Sequence, residues 1–426
     1  MKKPQTKNLR WWIAGLLFAS TVINYIDRQT LSMLAPYLKT TYDWTNRDYA
    51  MMVICFRLPY TIGQTVFGRL VDRLGTRRGL TISVTWYSIA SMLTSLANGL
   101  YSFSAFRFLL GVGESANWPA GIKGVAEWFP NRERGWAIAL FDSGSSIGGA
   151  IAPLLIIPIY MQWGWRPAFI IPGLLGFLWL IAWRRLYYSP ESHPAVSSEE
   201  RAMLLKEREA AGTGVAGRLP HWRELLSLRQ TWGVIAARSF TDPVWFFITE
   251  WFAVYLATKG FQPHNTLAAI WIPFVAADLG NFFGGGMSSW LISRGWSVGR
   301  ARKAVVVFGA VGMLALIPAL RTTNLFAIAG LFAIATFAYA AYSTMAIVLA
   351  TDLYQTEAVA TVSGLSGTGA GIGTILSTYL IGKIADRYSF EPILVAASLI
   401  PVVGAVLVLI LVRNSSESGK GILRRI

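Results

Sequence analysis

A chain of 426 residues that is 54% hydrophobic and only 14% charged lies far below the roughly 25% charge of soluble domains; it reads as an integral membrane protein. The net charge of +16 would suit nucleic acid, but the basic residues are sorted into alternate loops, which argues against a nucleic-acid partner. Cys55 is the single cysteine, so there is no intramolecular disulfide and no cysteine metal site.

Hydropathy predicts about twelve spans, each near the roughly 20 residues that cross the hydrocarbon core. They fall at residues 11–36, 48–70, 79–98, 102–126, 135–162, 167–188, 231–258, 267–293, 302–320, 323–350, 357–382 and 391–413. The basic start, Lys2, Lys3, Lys7 and Arg10, looks like the n-region of a signal peptide. The apolar stretch after it is too long for an h-region and lacks a small-residue cleavage site, so a retained first helix is expected. Most of the 38 Lys and Arg residues fall in alternate loops and the two tails. The opposite loops hold Lys39, Arg47, Arg166, Lys259, Arg321, Lys383 and Arg387. This asymmetry predicts that both termini are cytoplasmic, with the basic excess facing anionic lipid headgroups of the bilayer.

Between the second and third spans lies Gly68-Arg69-Leu70-Val71-Asp72-Arg73-Leu74-Gly75-Thr76-Arg77-Arg78. A basic loop follows from the charge rule for membrane loops, but that rule accounts for neither Asp72 nor the placement of Gly68 and Gly75. After the eighth span a second basic loop with glycines, residues 293–303, stands in the matching place. Residues 189–230 break the hydrophobic pattern. Ser197, Ser198, Glu199 and Glu200 read as the start of a short surface helix, interrupted by Gly212, Gly214 and Gly217. The domains are therefore 1–188 and 231–426, six spans each, joined by a cytoplasmic linker at 189–230. Two such halves with matching loops suit a transporter built from repeats, its substrate path running between them. Gly364, Gly367, Gly369, Gly371 and Gly373 contain patterns like a dinucleotide fingerprint, but they lie in an apolar span with no strand before it, which rejects that reading.

Ionisable groups at bilayer depth cost at least about 2.5 kcal/mol each and usually face partners or a wet cavity. The informative ones are Asp27, Arg28, Arg57, Arg107, Glu114, Asp142, Arg238, Asp242, Glu250 and Asp278. Arg107 and Glu114, seven residues apart, share a helix face, and the first and fourth helices of a repeat would bring Asp27 or Glu114 near Arg107. Desolvation favours the neutral form of a carboxyl and a guanidinium favours its charged form, so such a group can exchange protons as its surroundings change. Two readings of Asp27 and Glu114 stand side by side: proton coupling to anion uptake, or fixed ion bridges between helices. Lys123, near the end of its span, reads as a snorkelling side chain. Trp232, Trp245, Trp251 and Trp271 read mainly as interface or packing residues, some of them able to stack on a sugar ring. His193, His221 and His264 are scattered in predicted loops, which argues against a histidine metal site or a catalytic triad. No enzyme, metal or bound cofactor is expected; under the coupling reading the proton is the coupling ion.

The loop at residues 68–78 resembles the signature loop of the major facilitator superfamily. That likeness implies an all-α membrane protein of twelve transmembrane helices in two pseudo-symmetric six-helix bundles, with Gly68, Asp72, Arg73, Gly75 and Arg77 acting in conformational gating. Tyr25-Ile26-Asp27-Arg28, Tyr60 with Gln64, Arg107 through Glu114, Pro119 to Lys123, and Glu127 to Pro130 with Glu133-Arg134 are similar to the anion:cation symporter family within it. Pro119 to Pro130, Ser143 to Gly148, Thr241 to Trp245 and Ala277 to Gly280 are most similar to its hexuronate-transporter branch. The resemblance spans nearly the whole chain. It implies a proton-coupled symporter that imports a sugar-acid anion, glucuronate or galacturonate, by alternating access across the bacterial inner membrane, as a monomer. Asp27 and Glu114 would then carry protons, Arg107 would modulate Asp27, and Arg28 would grip the substrate carboxylate. Tyr25, Tyr60 and Gln64 would hold sugar hydroxyls. Arg57, Asp142 and Glu250 depart from the family pattern and form a possible additional polar site. An aldonate, aldarate or aromatic carboxylate is the alternative substrate, and a non-transporting membrane sensor the alternative class.

Overall fold

The computed structural model describes residues 7–210, 219–261, 263–385, 390–412 and 422–423. The described chain is almost wholly helical. The first half contains α1 (Leu9–Tyr42), α2 (Asn46–Leu74), α3 (Thr76–Thr94), α4 (Leu100–Glu114), α5 (Asn117–Trp128), α6 (Arg134–Trp163) and α7 (Trp165–Leu186). Two short helices follow, α8 (Ser198–Ala210) and α9 (Trp222–Ser227). The second half contains α10 (Arg229–Ser239), α11 (Asp242–Thr258), α12 (Pro263–Ser293), α13 (Val298–Gly312), α14 (Leu316–Ala319), α15 (Leu325–Leu353), α16 (Val359–Ala385) and α17 (Glu391–Leu411).

Among the described residues, eight helices are long and apolar enough to cross a membrane. The other four expected spans correspond to α3, to α4 with α5, to α10 with α11, and to α12. Leu154, Leu178, Ile54 and Leu376 are each more than half exposed. Apolar side chains turned outward along whole helices fit a protein whose solvent is lipid, where only internally bonded backbones such as helices can span.

Three predicted spans are not continuous α-helices. The fourth, expected at 102–126, is broken after Glu114, because Pro119 has no N–H to donate to the Ser115 carbonyl one turn back. A carbonyl freed at this break, that of Gly113, accepts from Ser83 Oγ at 2.7 Å. The seventh, expected at 231–258, is broken after Ser239 for the same reason, with Pro243 in the first turn of α11. The ninth, expected at 302–320, is α13 followed by a turn of 3₁₀ helix and the short α14. His264, expected in a loop, falls within the bounds of α12.

The chain gathers into two compact units. One comprises Met1–Trp128, Leu140–Glu209 and Thr356–Gly364; the other comprises Phe129–Ala139, Ala210–Gln355 and Leu365–Ile426. In the first, Ile26, Leu31, Leu34, Met52, Phe103, Ile156 and Phe169 build an apolar cluster shared by α1, α2, α4, α6 and α7. Trp44 and Phe103 meet edge to face with centroids 5.0 Å apart. This cluster anchors the stretch of α1 that carries Asp27 and Arg28. The linker helix α8 is tied to the start of α1. The buried Glu200 carboxylate accepts from the backbone N–H groups of Leu9 at 3.1 Å and Arg10 at 3.3 Å, and pairs with the Arg10 guanidinium at 2.8 Å.

Candidate functional site: charges buried between the first helices

Adjacent residues on a helix point about 100° apart, and Asp27 and Arg28 have different partners accordingly. Arg28 Nη2 lies 2.9 Å and Nε 3.2 Å from the same oxygen, Oε2, of Glu114. Asn24, one turn back on α1, accepts from Arg28 Nη2 at 3.4 Å. The guanidinium is also surrounded by rings: Tyr25 and Tyr60 with centroids at 4.6 Å and Phe56 at 5.1 Å. Phe56 stacks on Tyr60, 5.6 Å away and 16° from parallel. Removing one partner from a buried ion pair is costly, because it leaves an uncompensated charge. The Arg28 side chain keeps 21% of its surface while that of Glu114 has none.

Asp27 is directed elsewhere. Its Oδ1 accepts from Ser91 Oγ of α3 at 2.7 Å, and that hydroxyl lies 3.0 Å from the Phe169 carbonyl of α7. Its other oxygen, Oδ2, is buried without a hydrogen-bond partner, as is Oε1 of Glu114. Arg107 lies 4.8 Å from the Phe56 centroid, with Nε and Nη1 unpartnered. Its charge and that of Glu114 both act on Asp27. No hydrogen bond or ion pair joins Arg107 to Asp27, because Ser91 and Glu114 lead the two α1 charges apart.

Gln64 is buried one turn beyond Tyr60 on α2. Arg57 and Asp142 are half-buried on α2 and α6, and Asp142 is within electrostatic reach of Tyr25. The Glu250 side chain lies outside the described residues.

The loop at 68–78 forms a second centre in the same unit. Gly75 has φ +83° and its N–H caps Val71 at 2.8 Å; a side chain would strain this turn between α2 and α3. A Cβ on Gly68 would stand 2.3 Å from the Ala360 carbonyl oxygen. Asp72 accepts from Lys123 Nζ at 2.8 Å, from the Ala360 N–H at 3.2 Å, and from both the N–H and the hydroxyl of Thr361 at 2.6 Å. A carboxylate at the start of α16 satisfies orphan amides and complements the helix dipole. Lys123 therefore does not snorkel: its side chain is 5% exposed and is bonded to Asp72. Arg73 is exposed. The Arg77 guanidinium lies over Tyr188 at 4.1 Å and donates to the Arg184 carbonyl.

The second unit has a matching centre. Asp352, at the end of α15, receives Arg134 Nη1 on one oxygen and Arg302 Nε on the other, both at 2.9 Å. Arg302 also donates to Ser288 Oγ and to the Asn131 carbonyl, each at 2.6 Å. Sequence reasoning did not single out Asp352, Ser91 or Phe56. Phe56 was accessible through its four-residue spacing from Tyr60, which puts both rings on one helix face.

These helices and buried charges belong to a known class. The sequence model of the Major Facilitator Superfamily matches residues 17–301 and 295–425. The hexuronate transporter of Escherichia coli strain K12 is 31% identical over 416 residues, covering 96% of this chain and 95% of that protein. The galacturonate transporter of Dickeya chrysanthemi is 34% identical over 312 residues, 72% of this chain and 90% of that protein. The D-galactonate transporter of Escherichia coli O6:H1 is 27% identical over 423 residues, 96% of this chain and 97% of that protein. Among solved structures, the proton:xylose symporter XylE bound to 6-bromo-6-deoxy-D-glucose has the same fold, with TM-score 0.72 at 14% identity, over 95% of this chain and 96% of that one. The chain belongs to the major facilitator superfamily. It is a multi-pass membrane transporter of twelve spans and not an enzyme.

Proposed function

We propose that this protein is a proton-coupled symporter that brings a sugar-acid anion, a hexuronate such as glucuronate or galacturonate, across the bacterial inner membrane by alternating access. The observation that carries the proposal is the Arg28 guanidinium, held by Glu114 and enclosed by Tyr25, Tyr60 and Phe56. A guanidinium grips a carboxylate through a fixed fork of donors, and phenols beside it offer hydroxyls and flat faces suited to a sugar. The names of the relatives support the substrate class.

The coupling follows from the shared partner. Glu114 and a substrate carboxylate compete for one guanidinium. A proton added at Oε1, the oxygen without a partner, removes the carboxylate charge and frees Arg28 for the anion. Loss of that proton on the other side restores the Arg28–Glu114 pair and expels the substrate. Asp27, with its own open oxygen, is the second proton carrier, and Arg107 tunes it through space.

The test is uptake into proteoliposomes of purified protein, with a panel of hexuronates, aldonates, aldarates and aromatic carboxylates. Accumulation of a hexuronate is expected under an inward proton gradient, with no response to an inward sodium gradient at constant pH. A sodium requirement without a proton response refutes the coupling. Preferential accumulation of another acid class refutes the substrate.

A further inference from the structure

The break before Pro243 in the second unit brings together groups that the Arg28 site does not use. Arg238, Asp242 and Trp245 follow one another at spacings of four and three residues, one helix face carried across the break. Arg238 Nη2 donates to Asp242 Oδ2 at 2.8 Å. Asp242 is 7% exposed, and its other oxygen, Oδ1, has no hydrogen-bond partner. One turn on, the half-buried Trp245 lies parallel to Tyr339 of α15, with centroids 5.7 Å apart and 8° between planes. Tyr342, a turn beyond Tyr339, is buried within electrostatic reach of Asp242.

Helix packing alone does not call for this arrangement. Charged groups within membrane segments are costly and mark functional paths, and buried acceptors are normally satisfied. An open carboxylate oxygen one helix turn before a half-buried indole suits a ligand with hydroxyl donors on one side and C–H groups on the other. Sugars have that chemistry.

We propose that Asp242 and Trp245 form a hydroxyl-reading subsite in the second unit. Asp242 Oδ1 accepts from a hydroxyl of a sugar-acid anion, Trp245 lies against its ring, and Arg238 positions the carboxylate. The proposal rests on the sugar-acid reading above and concerns residues of the second unit alone.

The test is calorimetric binding to purified protein in lipid nanodiscs, using glucuronate and its monodeoxy analogues. Wild type is expected to bind the parent acid more tightly than at least one analogue. Asp242→Asn should weaken the parent acid about tenfold, the scale of a lost hydrogen bond to a charged group, and that analogue less than about twofold. An equal loss across the series, or no loss, overturns the subsite. Trp245→Leu keeps an apolar side chain but removes the ring face, and carries the test should Asp242→Asn fail to fold. It should weaken ring-closed hexuronates while leaving open-chain aldonates within about twofold, because stacking needs a ring face; equal effects on both overturn it. Wild type that binds no sugar acid refutes the substrate reading itself, whereas wild-type binding with an indifferent Asp242 and Trp245 refutes the subsite alone.

Discussion

Asp72→Asn should loosen the start of α16. The carboxylate accepts four bonds: Oδ1 from Lys123 and the Ala360 N–H, Oδ2 from the Thr361 N–H and hydroxyl. Asparagine keeps one acceptor oxygen and replaces the other with an NH₂ group. With the NH₂ toward Thr361 the hydroxyl can turn to accept and the Thr361 N–H bond is lost; with the NH₂ toward Lys123 two bonds are lost. Hydrogen bonds to charged groups contribute about 1.5–3 kcal/mol each, so the local opening free energy should fall by at least about 1.5 kcal/mol. At 1.4 kcal/mol per tenfold, this is roughly tenfold. Amide hydrogen exchange in lipid nanodiscs reads it directly: the N–H groups of Ala360 and Thr361 should exchange at least about ten times faster in the variant. Transport should slow, while substrate affinity in a binding-competent state stays near wild type. An exchange increase below about threefold would refute the reasoning, and so would direct contact between Asp72 and substrate in a bound structure.

Two further outcomes follow from other buried pairs. Glu114→Gln mimics the protonated carboxyl, so it should retain substrate binding and counterflow exchange yet lose gradient-driven accumulation; accumulation equal to wild type would move the coupling to Asp27. Arg302→Met removes one of two guanidiniums on Asp352 and deletes the bonds to Ser288 and the Asn131 carbonyl. Breaking a buried pair from one side costs about 3–5 kcal/mol, so thermal unfolding in detergent should move down by several degrees, and an unchanged midpoint would discount this centre.

Much of the architecture was legible because it rests on one-dimensional signals. Apolar runs of spanning length located the helices. The 68–78 loop announced itself through Gly75 and an acid among arginines. The helix breaks were also written in the chain, at Pro119 and Pro243, but continuous hydropathy hid them. Side-chain partners were harder. Asp72 and Lys123 are 51 residues apart, and Thr361 lies 289 beyond Asp72, distances over which no periodicity operates. Arg28 pairs with Glu114, and Asp27 is bonded to Ser91 while Arg107 acts on it through space, pairings that spacing along the chain does not fix. Asp352 lies at the end of its helix and Lys123 near the end of its expected span, where a charge reads as solvated. Only packing reveals that these two are buried.

The bond from Glu200 to the start of α1 bears on how the two halves can be separated. Asn8 makes no side-chain cap and the first turn of α1 holds no acid, so the acceptor for its leading amides comes from 190 residues away. Hydropathy would invite a cut after residue 188, where the sixth span ends. A fragment severed there would lack the cap of its own first helix. Co-expressed halves should therefore be divided within residues 211–218, so that α8 stays with the N-terminal fragment.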